Sequence, residues 1–295
     1  MSIELGYACL NTSIPMKMKS LRLKTYQERG ASYLKELILH NLNYVMTCLE
    51  WNQAHQIFFF RVSSDLVPLA THEAMTYTWQ EDEEIRKACK KIKEYAKLHS
   101  MRLSMHPGQY TLLNSPKEEV VKRSVEDLEY HHQMAEMLGV RDLIIHVGGV
   151  YGDKKQALHR WVKTYEKLPE GIKSKLRLEN DEKSYSIQEV LGIWETTGIP
   201  LVLDFHHHRI LSSMETGVAL ERVVKTWEGI DDPKIHLSSG RKDEKDPKHD
   251  DLIRQIDYEW VCGYVDQCFR KDQKIYLMLE AKQKEQAILH LRKRT

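Results

Sequence analysis

The chain has 295 residues, 41% hydrophobic and 29% charged, enough to bury a sizeable core, and its 44 Lys and Arg against 43 Asp and Glu leave a net charge of +1. That balance argues against a polybasic tail or a protein that coats nucleic acid by bulk charge, but not against a single basic groove. The five cysteines are scattered, odd in number and without a C-x-x-C pair, which argues for a reduced, cytoplasmic setting and against a disulfide framework or zinc ribbon. No basic region followed by an apolar stretch opens the chain, and no apolar run approaches the ~18 residues of a membrane span, so neither secretion nor a membrane is expected.

In chain order, Leu5–Leu10 reads as a short first strand, with Asn11 and Thr12 as turn residues. A long helix follows from about Tyr26 to Asn52, with Leu34, Leu37, Ile38, Val45 and Leu49 at core spacing. Ile57–Val62 is a second strand. The acidic opening Gln80–Glu84 suits a helix N-terminus, and that helix runs to about His99. Arg102–Met105 is a third strand and ends in His106-Pro-Gly-Gln-Tyr110. Lys117–Leu138 is helical and stops at Gly139. The fourth strand, Asp142–Ile145, ends in His146. A helix over Lys155–Leu168 leads to the fifth strand, Leu176–Leu178, which ends in Glu179-Asn-Asp181. Ser186 caps the next helix, with Glu189 as its capping-box partner. The sixth strand runs from Pro200 straight into Asp204-Phe-His-His-His208. A helix over Val218–Trp227, a seventh strand Lys234–Leu237, a charged solvated loop Arg241–Asp251 and a helix over Tyr258–Phe269 come next. The eighth strand, Ile275–Leu279, ends in Glu280, and a last helix carries the Lys and Arg tail. Strands alternating with helices in this number predict a single α/β domain over residues 1–295, a (β/α)8 TIM barrel. An open doubly wound sheet gives no reason for polar residues at so many strand ends.

His106, His146, Glu179, Asp204, His207, His236 and Glu280 fall at or just beyond those ends, where a barrel places its active site. Any one alone reads as a hydrogen-bonded or helix-capping side chain. Together, four imidazoles and three carboxylates at one mouth are a strained set without cations, and two or three divalent metals would resolve it. Carboxylate oxygen and imidazole nitrogen suit zinc, manganese or iron. His72, in the loop after the second strand, is a weaker candidate. The chemistry such a cluster favours is metal-assisted hydrolysis of a phosphodiester; no flavin or nicotinamide fingerprint is present, and Gly148-Gly149 is too short for a phosphate loop. His131 and His132 read as structural, and His40, His55, His99, His159, His249 and His290 as surface residues. Alternation turns His206 and His208 away from His207, toward a second layer or the surface. Pro107-Gly108 makes a tight turn that projects Gln109 and Tyr110 past the rim as a wedge for a duplex, and Tyr7 and Asn11 are expected to touch the same substrate. Lys234 shares a face with His236. It packs away, binds a phosphate, or is carboxylated to become an oxygen ligand; the last is the expectation.

With these residues in place the chain resembles the ultraviolet damage endonuclease family, a barrel relative of the endonuclease IV group. The resemblance rests on Gly6-Tyr7 with Asn11, Phe60-Arg-Val-Ser-Ser-Asp65, His106-Pro-Gly-Gln-Tyr110, Leu143-Ile-Ile-His-Val-Gly-Gly149, Leu178-Glu-Asn-Asp181, Leu203-Asp-Phe-His-His-His208, Lys234-Ile-His-Leu-Ser238 and Met278-Leu-Glu-Ala-Lys282, in family order over nearly the whole chain. It implies a trinuclear metal site, manganese before zinc, held by His72, His106, His146, Glu179, Asp204, His207, His236, Glu280 and a carboxylated Lys234, since endonuclease IV relatives carry Asp at that place. Glu179, Glu280, His236 and Lys234 would serve catalysis, and Gln109 and Tyr110 would probe the damaged pair. The implied reaction on damaged double-stranded DNA is a nick immediately 5′ to cyclobutane dimers, (6-4) photoproducts and abasic sites, leaving a 3′-hydroxyl and a 5′-phosphate. It needs no obligate protein partner, and takes place in a bacterial cytoplasm, on the nucleoid. A sugar isomerase on the same barrel is the enzymatic alternative, and a metal-dependent damage-binding protein the non-enzymatic one.

Overall fold

Apolar runs too short and too greasy to leave a wet face set the architecture. In the computed structural model, which describes residues 2–269 and 273–293, they become β1 (Ser2–Ala8), β2 (Phe59–Arg61), β3 (Arg102–Met105), β4 (Asp142–His146), β5 (Leu176–Glu179), β6 (Leu201–Asp204), β7 (Lys234–Leu237) and β8 (Lys274–Leu279). Every residue of β2, β3, β5, β6 and β7 is buried, as in strands covered on both faces. The covering helices are α1 (Leu23–Ala54), α2 (Glu83–Leu98), α3 (Glu118–Leu138), α4 (Lys154–Glu166), α5 (Glu170–Lys175), α6 (Ile187–Thr197), α7 (Phe205–Ile210), α8 (Thr216–Lys225), α9 (Gln255–Cys268) and α10 (Glu285–Arg292). The strands are parallel and pair in sequence order. β1 meets β8 from Ser2↔Lys274 to Tyr7↔Leu279, which closes the barrel. The result is the expected α/β TIM barrel, with its main core between the strands and the helix layer. Among the described residues no helix is long and apolar enough to cross a membrane. Of the basic tail, Arg294 and Thr295 lie outside the described residues.

Local chemistry explains most element ends. Asp82 accepts from the amides of Glu84 and Ile85 and so caps α2, and the acids that follow face the positive end of the helix dipole. Gly139 takes the left-handed conformation, φ 75, that stops α3. Ser186 N donates to Glu189 Oε2 at 2.8 Å, the reach-back half of the expected capping box. α1 starts earlier than its apolar spacing predicts and is broken at Gly30, where φ 72 and ψ −169 are tolerated because no Cβ is present. The larger departure follows β6. Asp204 Oδ1 accepts from His207 N at 2.7 Å, so the carboxylate caps α7 and residues 205–210 coil instead of continuing extended. Alternation therefore does not apply to the three histidines. His206 and His208 are buried and not at the surface.

Inside the barrel, below the mouth, Asp142 is met by three cations. Its Oδ2 lies 2.7 Å from Lys234 Nζ and 3.0 Å from Arg102 Nε, and its Oδ1 lies 3.0 Å from Arg177 Nε. All four side chains are buried. Burial alone would raise the Asp142 carboxyl, but the surrounding cations hold it well below the usual carboxylate range.

Candidate metal centre at the barrel mouth

Two residues above that charged layer, β5 ends in Glu179, which is 1% exposed. Its Oε2 is 3.0 Å from His106 Nε2 and 3.7 Å from His146 Nε2; its Oε1 is 2.8 Å from His236 Nδ1 and 4.0 Å from His207 Nδ1. Three donor groups share this carboxylate: His106, His146 and Glu179; Glu179, His236 and Glu280; and Glu179, Asp204 and His207. Within each, one ligand atom per residue lies within 4.8 Å of the others. The donors arrive from the ends of β3, β4, β5, β6, β7 and β8, so the closed barrel brings together residues far apart in sequence.

The donor set fits divalent cations. Asp204 spends one oxygen on the α7 cap, while its Oδ2 is buried without a hydrogen-bond partner. Such an orphaned carboxylate oxygen is costly unless a cation meets it. Burial lowers His146 and keeps it in the neutral form that ligates. Burial would also lower His207, but Asp204, Glu179, Glu280 and Glu182 outweigh it and push it up to about 9. Burial would raise Glu179, yet His236, His146 and His106 hold it well below its ordinary value.

The sequence-predicted residues do not all converge. His72 lines a cavity of about 650 Å³ with His106 and Tyr110 and accepts from Ala74 N at 3.1 Å; it is in none of the three groups. Lys234 is likewise outside them, with its ammonium directed to Asp142 and 4.9 Å from the Phe59 ring centroid. Tyr7 and Asn11, expected at the substrate, are not exposed at the rim. Both are buried; Tyr7 OH donates to Asn52 Oδ1 at 2.7 Å and accepts from Asn11 Nδ2 at 2.8 Å. They brace the loop after β1. Gln109 and Tyr110 do project, Tyr110 being 80% exposed, beside a cavity of about 470 Å³ that reaches His146.

Two residues of the mouth escaped the sequence reading. Arg61 Nη2, at the end of β2, sits 2.6 Å from Glu280 Oε1 and 3.2 Å from His236 Nε2. The strand-end rule would have found it had it been applied to cations as well as ligands. His249 lies in a charge run that reads as solvated. An isolated bridge, Gly240↔His249, folds that run back and leaves His249 Nδ1 3.9 Å from Glu280 Oε2; nothing in the local sequence signals this.

A closed parallel barrel with imidazoles and carboxylates converging at its strand ends defines a TIM barrel whose mouth could hold metal ions. Comparison with known proteins narrows the class. A family model described as UV-endonuclease UvdE matches residues 3–295. The UV DNA damage endonuclease of Bacillus velezensis is 34% identical over 293 residues, covering 96% of this chain and 89% of that protein. The crystal structure of SacUVDE, 34% identical, superposes with a TM-score of 0.90 over 99% of this chain and 97% of that one. Endonuclease IV from Thermus thermophilus shares the fold, with a TM-score of 0.61 over 98% of this chain and 96% of that one at 15% identity. The chain belongs to the UV-endonuclease UvdE family.

Proposed function

We propose that this chain is a metal-dependent UV-damage DNA endonuclease. It cuts one strand immediately 5′ to cyclobutane dimers and (6-4) photoproducts, and at abasic sites, leaving a 3′-hydroxyl and a 5′-phosphate. The observation that carries this reading is the sharing of one buried carboxylate, Glu179, among three donor groups. That arrangement suits three neighbouring divalent cations, manganese foremost. When bound, such ions supply Lewis acidity at the scissile phosphate and acidify water.

The chain's own residues do the rest. Glu179 orients His106 and His236 by direct contact. Arg61 fixes Glu280, and Asp204 presents its free oxygen from a position locked by the α7 cap. His72 would join the ligand set in this reading from the wall of the cavity it shares with His106. Gln109 and Tyr110 enter the duplex where a lesion has weakened stacking; the energy saved in kinking and unstacking selects damaged over intact DNA. Tyr110 is exposed at the rim, as a wedge must be and as a lining residue of an enclosed sugar site need not be.

Lys234 is assigned a carbamate. Asp142 faces three buried cations, of which Arg102 also has Asp231 at 3.5 Å, and burial lowers Lys234 to about 7 against the pull of Asp142, with Arg102 and Arg177 lowering it further. A neutral amine adds carbon dioxide, forming an N–C bond and releasing a proton, and turns a surplus cation into an anion beside two arginines. Native mass spectrometry at neutral pH that finds only the free amine removes this assignment.

The deciding experiment is nicking of supercoiled plasmid, irradiated or not, with manganese and with chelator. Relaxation of only the irradiated plasmid, abolished by chelator, is expected. Equal relaxation of both plasmids leaves a metallonuclease without lesion recognition. Tight binding of irradiated DNA without a break makes the chain a damage-binding protein instead.

A further inference from the structure

Between Glu4 and Glu28 the sequence holds no Asp or Glu, in a chain with 43 of them, yet it carries Lys17, Lys19, Arg22 and Lys24. The segment before α1 has no regular structure, but burial alternates through it and into the first turn of α1: Met16, Met18, Leu21 and Leu23 are half-buried against the core, while Lys17, Lys19, Arg22 and Lys24 are exposed. It is therefore an extended ribbon with an apolar underside and a cationic outer edge. Among the described residues Lys17, Lys19 and Arg22 make no ion pair, and Lys24 has only a 4.0 Å contact with Glu28, both side chains being largely exposed.

The ribbon's backbone is fixed. Asn41, fully buried on α1, accepts from Lys19 N at 2.8 Å and donates to Lys19 O at 2.9 Å. His40 Nε2 lies 2.8 Å from Lys17 O. The same Asn41 amide donates to Leu66 O at 3.1 Å, in the turn where Ser64 donates to the carbonyl of His106 at 2.8 Å. At the other end Glu285 of α10, buried, accepts from Thr12 N and Oγ1 and from Ser13 Oγ. The chain leaves β1 at the catalytic end of the barrel, so these anchors hold the ribbon beside the mouth.

We propose that this ribbon is a phosphate-tracking rail that holds the DNA backbone flanking the cut. The proposal rests on the endonuclease reading and extends it to a surface outside the metal centre. A solvated charged face needs no fixed backbone and gains nothing from excluding acids. A polyanion with one charge per ~3.4 Å of each strand rewards both. Alternate residues of an extended chain are ~6.6 Å apart, comparable with the through-space step between successive phosphates of one strand, so Lys17 and Lys19 can face neighbouring phosphates of a strand running alongside.

The test compares wild type with a variant carrying Lys17→Gln, Lys19→Gln, Arg22→Gln and Lys24→Gln. A control carries Lys87→Gln, Lys90→Gln, Lys91→Gln and Lys97→Gln on α2, an equal change of net charge. Anisotropy with a long undamaged duplex is measured against salt, and nicking of irradiated duplex in parallel. The ribbon variant should bind about 10-fold or more weakly at low salt, and its log–log salt slope should be shallower by roughly 3–4. KM should rise accordingly with kcat within about twofold, because no rail residue reaches the reacting atoms. A control that weakens equally assigns the effect to net charge and overturns the rail, as does a ribbon variant with wild-type slope. Wild type that binds but never nicks fails the endonuclease reading, while the binding arm still decides the rail.

Discussion

Replacing Glu179 by Gln perturbs all three donor groups with one isosteric change. Glu179 is buried and faces His106, His146, His236 and His207 at 3.0, 3.7, 2.8 and 4.0 Å. The amide keeps the volume, removes the charge and turns one acceptor into a donor aimed at imidazole nitrogens. At ~4 Å and an effective dielectric of ~20, one unit of charge is worth about 4 kcal/mol. Counting a single unit for each cation the carboxylate would face, affinity falls about 10³-fold at every group. Dialysed E179Q should thus retain far less metal than wild type by elemental analysis, and irradiated plasmid should be nicked at least about 10³-fold more slowly, while intact duplex is still bound. Glu182→Gln is the control. Glu182 Oε2 is 3.7 Å from His207 Nε2 but lies outside the three groups, so metal content should hardly change. E179Q that keeps the full wild-type complement of metal would refute the shared-carboxylate reasoning, and nicking within about tenfold of wild type would refute its link to activity.

Tyr110→Ala should leave stability unchanged, because the ring is 80% exposed, and should reduce the preference for irradiated over intact duplex by the ~1–3 kcal/mol of a lost stacking contact; an unchanged preference removes the wedge. Tyr7→Phe should do the opposite, losing roughly 1–3 kcal/mol of stability because Asn52 and Asn11 each lose a buried partner, with selectivity unaltered in the same competition assay. Asp142→Asn removes the shared carboxylate from the buried Arg102 and Arg177 and should cost about 3–5 kcal/mol, a fall in melting temperature of roughly 10 °C. The pH dependence follows from the sign of the shift. The folded carboxyl lies below its unfolded value of ~3.9, so its stabilisation is present above about pH 4 and is lost as pH falls further. The gap in stability between wild type and D142N should accordingly narrow in acid, and a gap that widens there contradicts the network.

The barrel and most of the side chains that converge at its mouth were legible because both rest on local pattern. An apolar run of strand length that stops at His or Glu needs no partner to be recognised, and His106, His146, Glu179, His236 and Glu280 were found that way. What required the folded chain was orientation and distance. Tyr7 lies on β1 where either direction fits the sequence, and packing against Asn52 turned it inward. The coil of α7 depends on Asp204 acting as a cap, which extended alternation contradicts. Lys234 finds Asp142 across 92 residues of sequence; Asp142 on its own reads only as the polar start of a strand. His249 becomes visible only once its loop has folded back over the mouth.

The charged layer around Asp142 also bears on how the barrel can be divided. Arg102 and Asp142 come from β3 and β4, whereas Arg177 and Lys234 come from β5 and β7. A fragment ending after β4 would keep the Arg102–Asp142 pair, but its complement from β5 onward would have to bury Arg177 without Asp142. Neither a half-barrel nor a strand-by-strand intermediate can seal this interior before β4 stands opposite β7. Closure and charge neutralisation are one event, so the two halves, expressed as separate chains, should become soluble only in each other's company.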